Sequence, residues 1–223
     1  MDSHELAKCI EHTNLHPSAN CKDIEKLCNE AKERGFYGIC INPCWVGHAQ
    51  KFLGHSDVKI ITVIGFPLGA ANTESKAAEA RKALMDGADE FDMVINIGFL
   101  KSKKFDSVKN DICAIRNACG KKVLKVILEC CYLTDSEKAD ACKMAANAGA
   151  DFVKTSTGFG TGGAAEKDIK IMKKAVEGTN AKIKASGGIR TYEDAVKMIR
   201  AGASRIGTSS GIQIIKEART ARQ

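Results

Sequence analysis

Short apolar runs alternate with longer amphipathic stretches along the whole chain. Four times, a helix-like stretch closes on a glycine and leads directly into an apolar run: ERG-FYGICIN at Gly35, DGAD-EFDMVIN at Gly87, NAGAD-FVKTST at Gly149 and RAGAS-RIGTSS at Gly202. Glycine in that place suits a left-handed helix C-cap that turns the chain into the next element. Between neighbouring glycines lie the further runs KIITVIG, KVLKVILE and AKIKASG. The repeat is therefore about 26–31 residues, the size of one βα unit.

Counting these runs predicts strands over 38–41, 60–64, 91–95, 123–128, 152–155, 183–185 and 205–207, with a weaker first strand over 12–15. Thr134-x-x-Glu137 and Thr191-x-x-Asp194 supply helix starts of the capping-box kind. Near-continuous apolar strands between helices imply a parallel sheet covered on both faces. Eight βα units predict a closed (β/α)₈ barrel rather than an open sheet. No linker or low-complexity stretch divides the chain, so the expectation is one catalytic domain over 1–223.

Composition narrows the function classes. With 44% hydrophobic and 27% charged residues, the chain reads as an ordinary globular protein. The longest nearly uncharged stretch, 60–71, is too short for a membrane span. The polar opening MDSHE lacks the apolar core of a signal peptide, so a cytoplasmic protein with no membrane partner is expected. Its net charge of +7 suits nucleic acid or a small anionic substrate alike. No run of Lys or Arg exceeds two, and three Tyr and one Trp offer little for base stacking, which disfavours nucleic acid. Cys40, Cys44 and His48 come nearest to a metal set, but they straddle a strand and a helix and read better as structural side chains.

The strands carry charges where a core should be. Alternation turns Asp92, Val94 and Asn96 inward from one strand, and Lys125, Ile127 and Glu129 from the next. Lys154 and Lys184 face the axis from two neighbouring strands. Lys125 and Glu129 allow a purely structural ion pair. The two adjacent lysines gain nothing structurally from each other. Across strands about 4.8 Å apart, their ammonium groups come within roughly 5–6 Å, which at an effective dielectric near 20 costs about 3 kcal/mol, or about two pKa units. Desolvation adds to this. One lysine is then a neutral amine near pH 7, able to attack a carbonyl; periodicity does not say which one. A Schiff base is an electron sink, so carbon–carbon bond chemistry beside a carbonyl is expected, with Asp92 and Lys125 moving protons. Such chemistry needs no cofactor and no metal.

Glycine-rich segments SGGIR (186–190) and GTSSG (207–211) follow the seventh and eighth strands, where barrels of this type bind phosphate with bare N–H groups and a helix N-terminus. A metal-dependent aldolase or epimerase would need histidines at several strand ends, yet all five lie at positions 4 to 55. A non-catalytic phosphate- or nucleic-acid-binding barrel is favoured only by net charge.

The segments FDMVINIG (91–98), LKVILE (124–129), DFVKTSTGFGTGGA (151–164), KASGGIRT (184–191) and IGTSSG (206–211), with HTNLHP (12–17) and GICINP (38–43), resemble the deoxyribose-phosphate aldolase family over nearly the whole chain. The resemblance implies a lyase that reversibly cleaves 2-deoxy-D-ribose 5-phosphate into D-glyceraldehyde 3-phosphate and acetaldehyde. It makes Lys154 the Schiff-base lysine, Lys184 its pKa-lowering neighbour, Asp92 the proton-transfer residue and Lys125 the support of Asp92. It places Thr13 and Cys40 at the small-aldehyde pocket. Thr157, Gly158, Gly187, Gly188, Arg190, Gly207, Ser209 and Ser210 would hold the phosphorylated sugar. A homodimer or homotetramer is also implied. This chain departs from many members at Phe159, where some carry lysine, at Glu11, where aspartate is common, and at its end, TARQ, where some have tyrosine.

Overall fold

The computed structural model describes residues 1–220; the TARQ departure lies mostly outside them. A short helix α1 (Ser3–Ala7) precedes β1 (Ile10–Asn14) and α2 (Cys21–Arg34). Next come β2 (Gly38–Ile41), α3 (Val46–Leu53), β3 (Lys59–Ile64), α4 (Thr73–Met85) and β4 (Glu90–Val94). After α5 (Ile97–Lys101) and α6 (Phe105–Cys119) the chain repeats β5 (Val123–Ile127), α7 (Asp135–Asn147), β6 (Phe152–Lys154), α8 (Glu166–Ala175), β7 (Lys182–Ser186), α9 (Tyr192–Ala201), β8 (Arg205–Thr208) and α10 (Gly211–Thr220). The strands are all parallel and close in sequence order, β8 pairing back onto β1. The expected barrel is the observed one.

Local chemistry explains the units. Thr134 with Glu137 and Thr191 with Asp194 form complete capping boxes, as does Asn20 with Asp23 at the start of α2. Gly35 closes α2 at φ +64°, a conformation costly for any residue with a Cβ. Alternation then sorts each strand. Phe91, Met93, Leu124, Val126, Val153, Ile183, Ala185 and Ile206 pack outward under the helices in one continuous core. A smaller cluster of Leu15, Cys40, Ile61 and Val63 fills part of the interior. Burying each such aliphatic side chain is worth roughly 1.5–3 kcal/mol, and that outer layer fixes which residues must face the axis.

Strand ends are where the sequence misled. The first strand begins at Ile10 rather than His12, and the fourth at Glu90 rather than Phe91. Both corrections bring a carboxylate into the barrel. Among the described residues, no helix is long and apolar enough to cross a membrane.

Candidate active site

Register brings the inward charges together. Asp92 on β4 lies beside Lys125 on β5, and Lys154 on β6 beside Lys184 on β7. All four are buried. Lys154 Nζ and Lys184 Nζ both donate to the same oxygen, Asp92 Oδ2, each at 2.7 Å. Lys125 Nζ donates to Asp92 Oδ1 at 2.9 Å. Three lysine side chains thus converge on one carboxylate, and despite burial they hold Asp92 well below the usual carboxylate range.

A lower tier supports this one. Glu11, fully buried on β1, hydrogen-bonds Lys184 with one oxygen, while its other oxygen lies 3.4 Å from Lys125 and 3.3 Å from Arg205. Glu90 pairs with Lys125 at 2.6 Å and accepts from the Tyr37 hydroxyl. The Arg205 guanidinium stacks 3.2 Å above the centre of the Tyr37 ring. Neither Glu11 nor Glu90 emerged from the sequence as an inward charge, because the strands were begun too late; their parity with Thr13 and Asp92 was the available signal. The structural pair of Lys125 with Glu129 does not form. Lys125 is taken up by Glu11, Glu90 and Asp92, and Glu129 instead accepts from the Thr157 N–H and hydroxyl.

Electrostatics separate the two central lysines. Burial pushes the Lys154 ammonium below the ordinary lysine value and Lys184 pushes it further, against the pull of Asp92. Burial acts on Lys184 too, but Asp92 and Glu11 together outweigh it and hold Lys184 above that value. Desolvation therefore leads and repulsion follows, the reverse of the order that strand spacing alone suggests. Lys125, despite its burial, is held above the lysine range by its three carboxylates.

Above Lys154 opens a cavity of about 320 Å³. Thr13, Thr157, Gly158, Gly187, Gly188, Arg190, Gly207 and Ser209 line it, as do Ser186 of the SGGIR segment and Asn14, His16 and Phe159, which sequence reasoning did not assign. Cys40, Asp92, Lys125 and Lys184 do not; all four are fully buried. Ser210 lines the adjoining groove between α2 and α10, which shares Thr13, Asn14 and Ser209 with the cavity. Its own N–H is already given to the Thr208 hydroxyl at 2.9 Å. The loops after β6 and β7 are tied by the Ala164 N–H to the Gly187 carbonyl, 2.9 Å, and by the Ser186 hydroxyl to the Ser156 carbonyl, 2.6 Å. Phe159 packs edge-on against Phe66 with ring centres 5.3 Å apart. Among the described residues, no group of three or more His, Cys, Asp or Glu is placed to hold a metal ion.

A family model described as "DeoC/LacD family aldolase" matches residues 2–217. The chain belongs to that family. It is 57% identical over 215 residues to a deoxyribose-phosphate aldolase of Brevibacillus brevis, covering 96% of this chain and 97% of the relative. A deoxyribose-phosphate aldolase of Thermococcus gammatolerans is 58% identical over 222 residues, with 97% and 98% covered. Among solved structures, the tetrameric deoxyribose phosphate aldolase of Aeropyrum pernix superposes with a TM-score of 0.90 at 33% identity, over 98% of this chain and 93% of that one.

Proposed function

We propose that this chain cleaves 2-deoxy-D-ribose 5-phosphate reversibly into D-glyceraldehyde 3-phosphate and acetaldehyde, through a Schiff base on Lys154. The observation carrying this reading is Lys154 itself: it is the central lysine that lines the cavity, and its amine has the lowered proton affinity that a nucleophile needs. Attack of the neutral amine on the C1 aldehyde gives a carbinolamine, and loss of water gives an iminium. A base takes the C3 hydroxyl proton, the C2–C3 bond breaks and its electron pair enters the iminium to form an enamine. Glyceraldehyde 3-phosphate departs. Protonation of the enamine carbon and hydrolysis then return the amine and release acetaldehyde.

Asp92, an ionised carboxylate 2.7 Å from the Lys184 ammonium, is suited to take that proton through water and later return it to the enamine carbon. Lys125 anchors Asp92 from below. The N–H groups around Gly187 and Gly188, with Ser209 at the start of α10, face the phosphate end; Arg190 adds a positive charge there. We further infer one catalytic domain over 1–223, a cytoplasmic setting and a homo-oligomer, dimer or tetramer, which light scattering on the purified protein tests. Mass spectrometry after treatment with acetaldehyde and borohydride tests the chemistry. One reductively alkylated lysine is expected, on the peptide containing Lys154; an unlabelled protein sinks the Schiff-base reading.

A further inference from the structure

Seven charged groups meet inside the barrel: the carboxylates Glu11, Glu90 and Asp92, and the bases Lys125, Lys154, Lys184 and Arg205. With every group charged, four bases face three acids, and all of them except the half-buried Arg205 sit where almost no solvent reaches. Uncompensated buried charge is expensive. The set balances once a single base is neutral, and the contacts select that base. Arg205 lies 3.3 Å from Glu11 and 3.7 Å from Glu90. Lys125 lies 3.4, 2.6 and 2.9 Å from three carboxylates. Lys184 is held between Asp92 and Glu11. Among the described residues Lys154 forms an ion pair only with Asp92, and shares that oxygen with Lys184.

We infer that Glu11 is the positioning residue that divides the labour between the two lysines: its carboxylate keeps the proton on Lys184 and so leaves Lys154 as the free amine. This rests on the Schiff-base reading above. Glu11 is itself fixed, because its second oxygen faces Lys125 and Arg205. The remaining titratable group near the pair is the Cys40 thiol on β2, which burial keeps protonated. The opposite directions of the Lys154 and Lys184 shifts agree with this division.

The test is Glu11→Gln, which keeps the shape and removes the charge. Four bases then face two acids, a second base must discharge, and Lys184 is the one that has lost a partner. After acetaldehyde and borohydride, label is expected on the peptides of both lysines. The pH at which Lys184 begins to label should fall by about one unit relative to the wild type, since no carboxylate of residue 11 then holds its proton. Glu11→Asp retains the charge and should restore labelling on Lys154 alone. Label confined to Lys154 in Glu11→Gln, with an unchanged pH profile, overturns the inference while leaving the aldolase reading intact. A wild-type chain that takes no label overturns both. Should Glu11→Gln not fold, reductive methylation of the wild type at pH 7 decides: Lys154 is expected to react and Lys184 to resist, and equal rates overturn the assignment.

Discussion

Gly207 leaves the space through which Lys184 reaches Asp92. A Cβ at position 207 would lie 2.9 Å from Lys184 Cε and 3.1 Å from Ser186 Cβ. Gly207→Ala should therefore displace the ammonium from its carboxylates rather than merely crowd a loop. We expect a stability loss of about 1–3 kcal/mol, as for an overpacked core, and a larger proportional loss in kcat than in substrate affinity. Steady-state kinetics with a thermal melt checks this, and an alanine variant with wild-type kcat would refute it.

Asp92 and Glu11 also govern the acid side of stability. Both titrate below their values in an unfolded chain, about 3.9 and 4.3. Their contribution is complete above those unfolded values and is lost as pH falls toward the depressed folded ones. Urea midpoints should decline as pH drops from about 5 to 3. Asp92→Asn should be less stable at pH 7 and show a shallower decline; an equally steep one would assign the acid sensitivity elsewhere.

How much of this was legible in the sequence depends on the kind of signal. The barrel was, because eight apolar runs closed by glycines such as Gly35 repeat at one βα period. The upper tier of charges was, because Asp92, Lys125, Lys154 and Lys184 interrupt runs that are otherwise apolar. The lower tier was not: Glu11 and Glu90 stand at strand starts, where a charge reads as a loop residue. Nor was the partner of Glu129, since its hydrogen bonds to Thr157 follow from a left-handed backbone at φ +54°, which no periodicity encodes. Cys40, like Asp92 and Lys184, is fully buried and does not itself line the cavity.

The Glu129 clamp yields a prediction of its own. Thr157 gives its N–H at 3.2 Å and its hydroxyl to Glu129, and its Oγ1 accepts from the Phe159 N–H at 3.0 Å. Thr157→Val should cost about 1–3 kcal/mol by leaving buried polar atoms short of partners. Because Lys154 is held by β6 and not by this loop, KM should rise more than kcat falls, and Thr157→Ser should recover most of the loss. A change in kcat alone would place Thr157 in the chemical step.

At Gly188 the backbone has φ +75°, yet nothing lies within 4 Å of where a Cβ would stand. Aspartate tolerates that conformation better than most residues and brings a negative charge to the phosphate end. Gly188→Asp should raise KM for the phosphorylated sugar at least tenfold, equivalent to about 1.4 kcal/mol of repulsion, while barely changing KM for unphosphorylated deoxyribose. Equal losses on both sugars would mean that the phosphate sits elsewhere.

Exhaustive chelation should leave activity unchanged, because the electron sink is an iminium formed by Lys154. Loss of turnover in chelator, restored by a divalent ion, would move the protein to a metal-dependent mechanism.

Tyr37, Glu90 and Arg205 stopper the barrel below Lys125. With that end filled, traffic runs through one doorway, on the Gly188 and Phe159 side. The phosphorylated triose lies nearer that doorway, while the two-carbon fragment stays tethered to Lys154 behind it. Departure is then obligatorily sequential, triose first and acetaldehyde last. Acetaldehyde should accordingly compete with the sugar phosphate for the resting protein, whereas glyceraldehyde 3-phosphate should inhibit without competing, an order set by the covalent bond to Lys154 at the closed end of the fold.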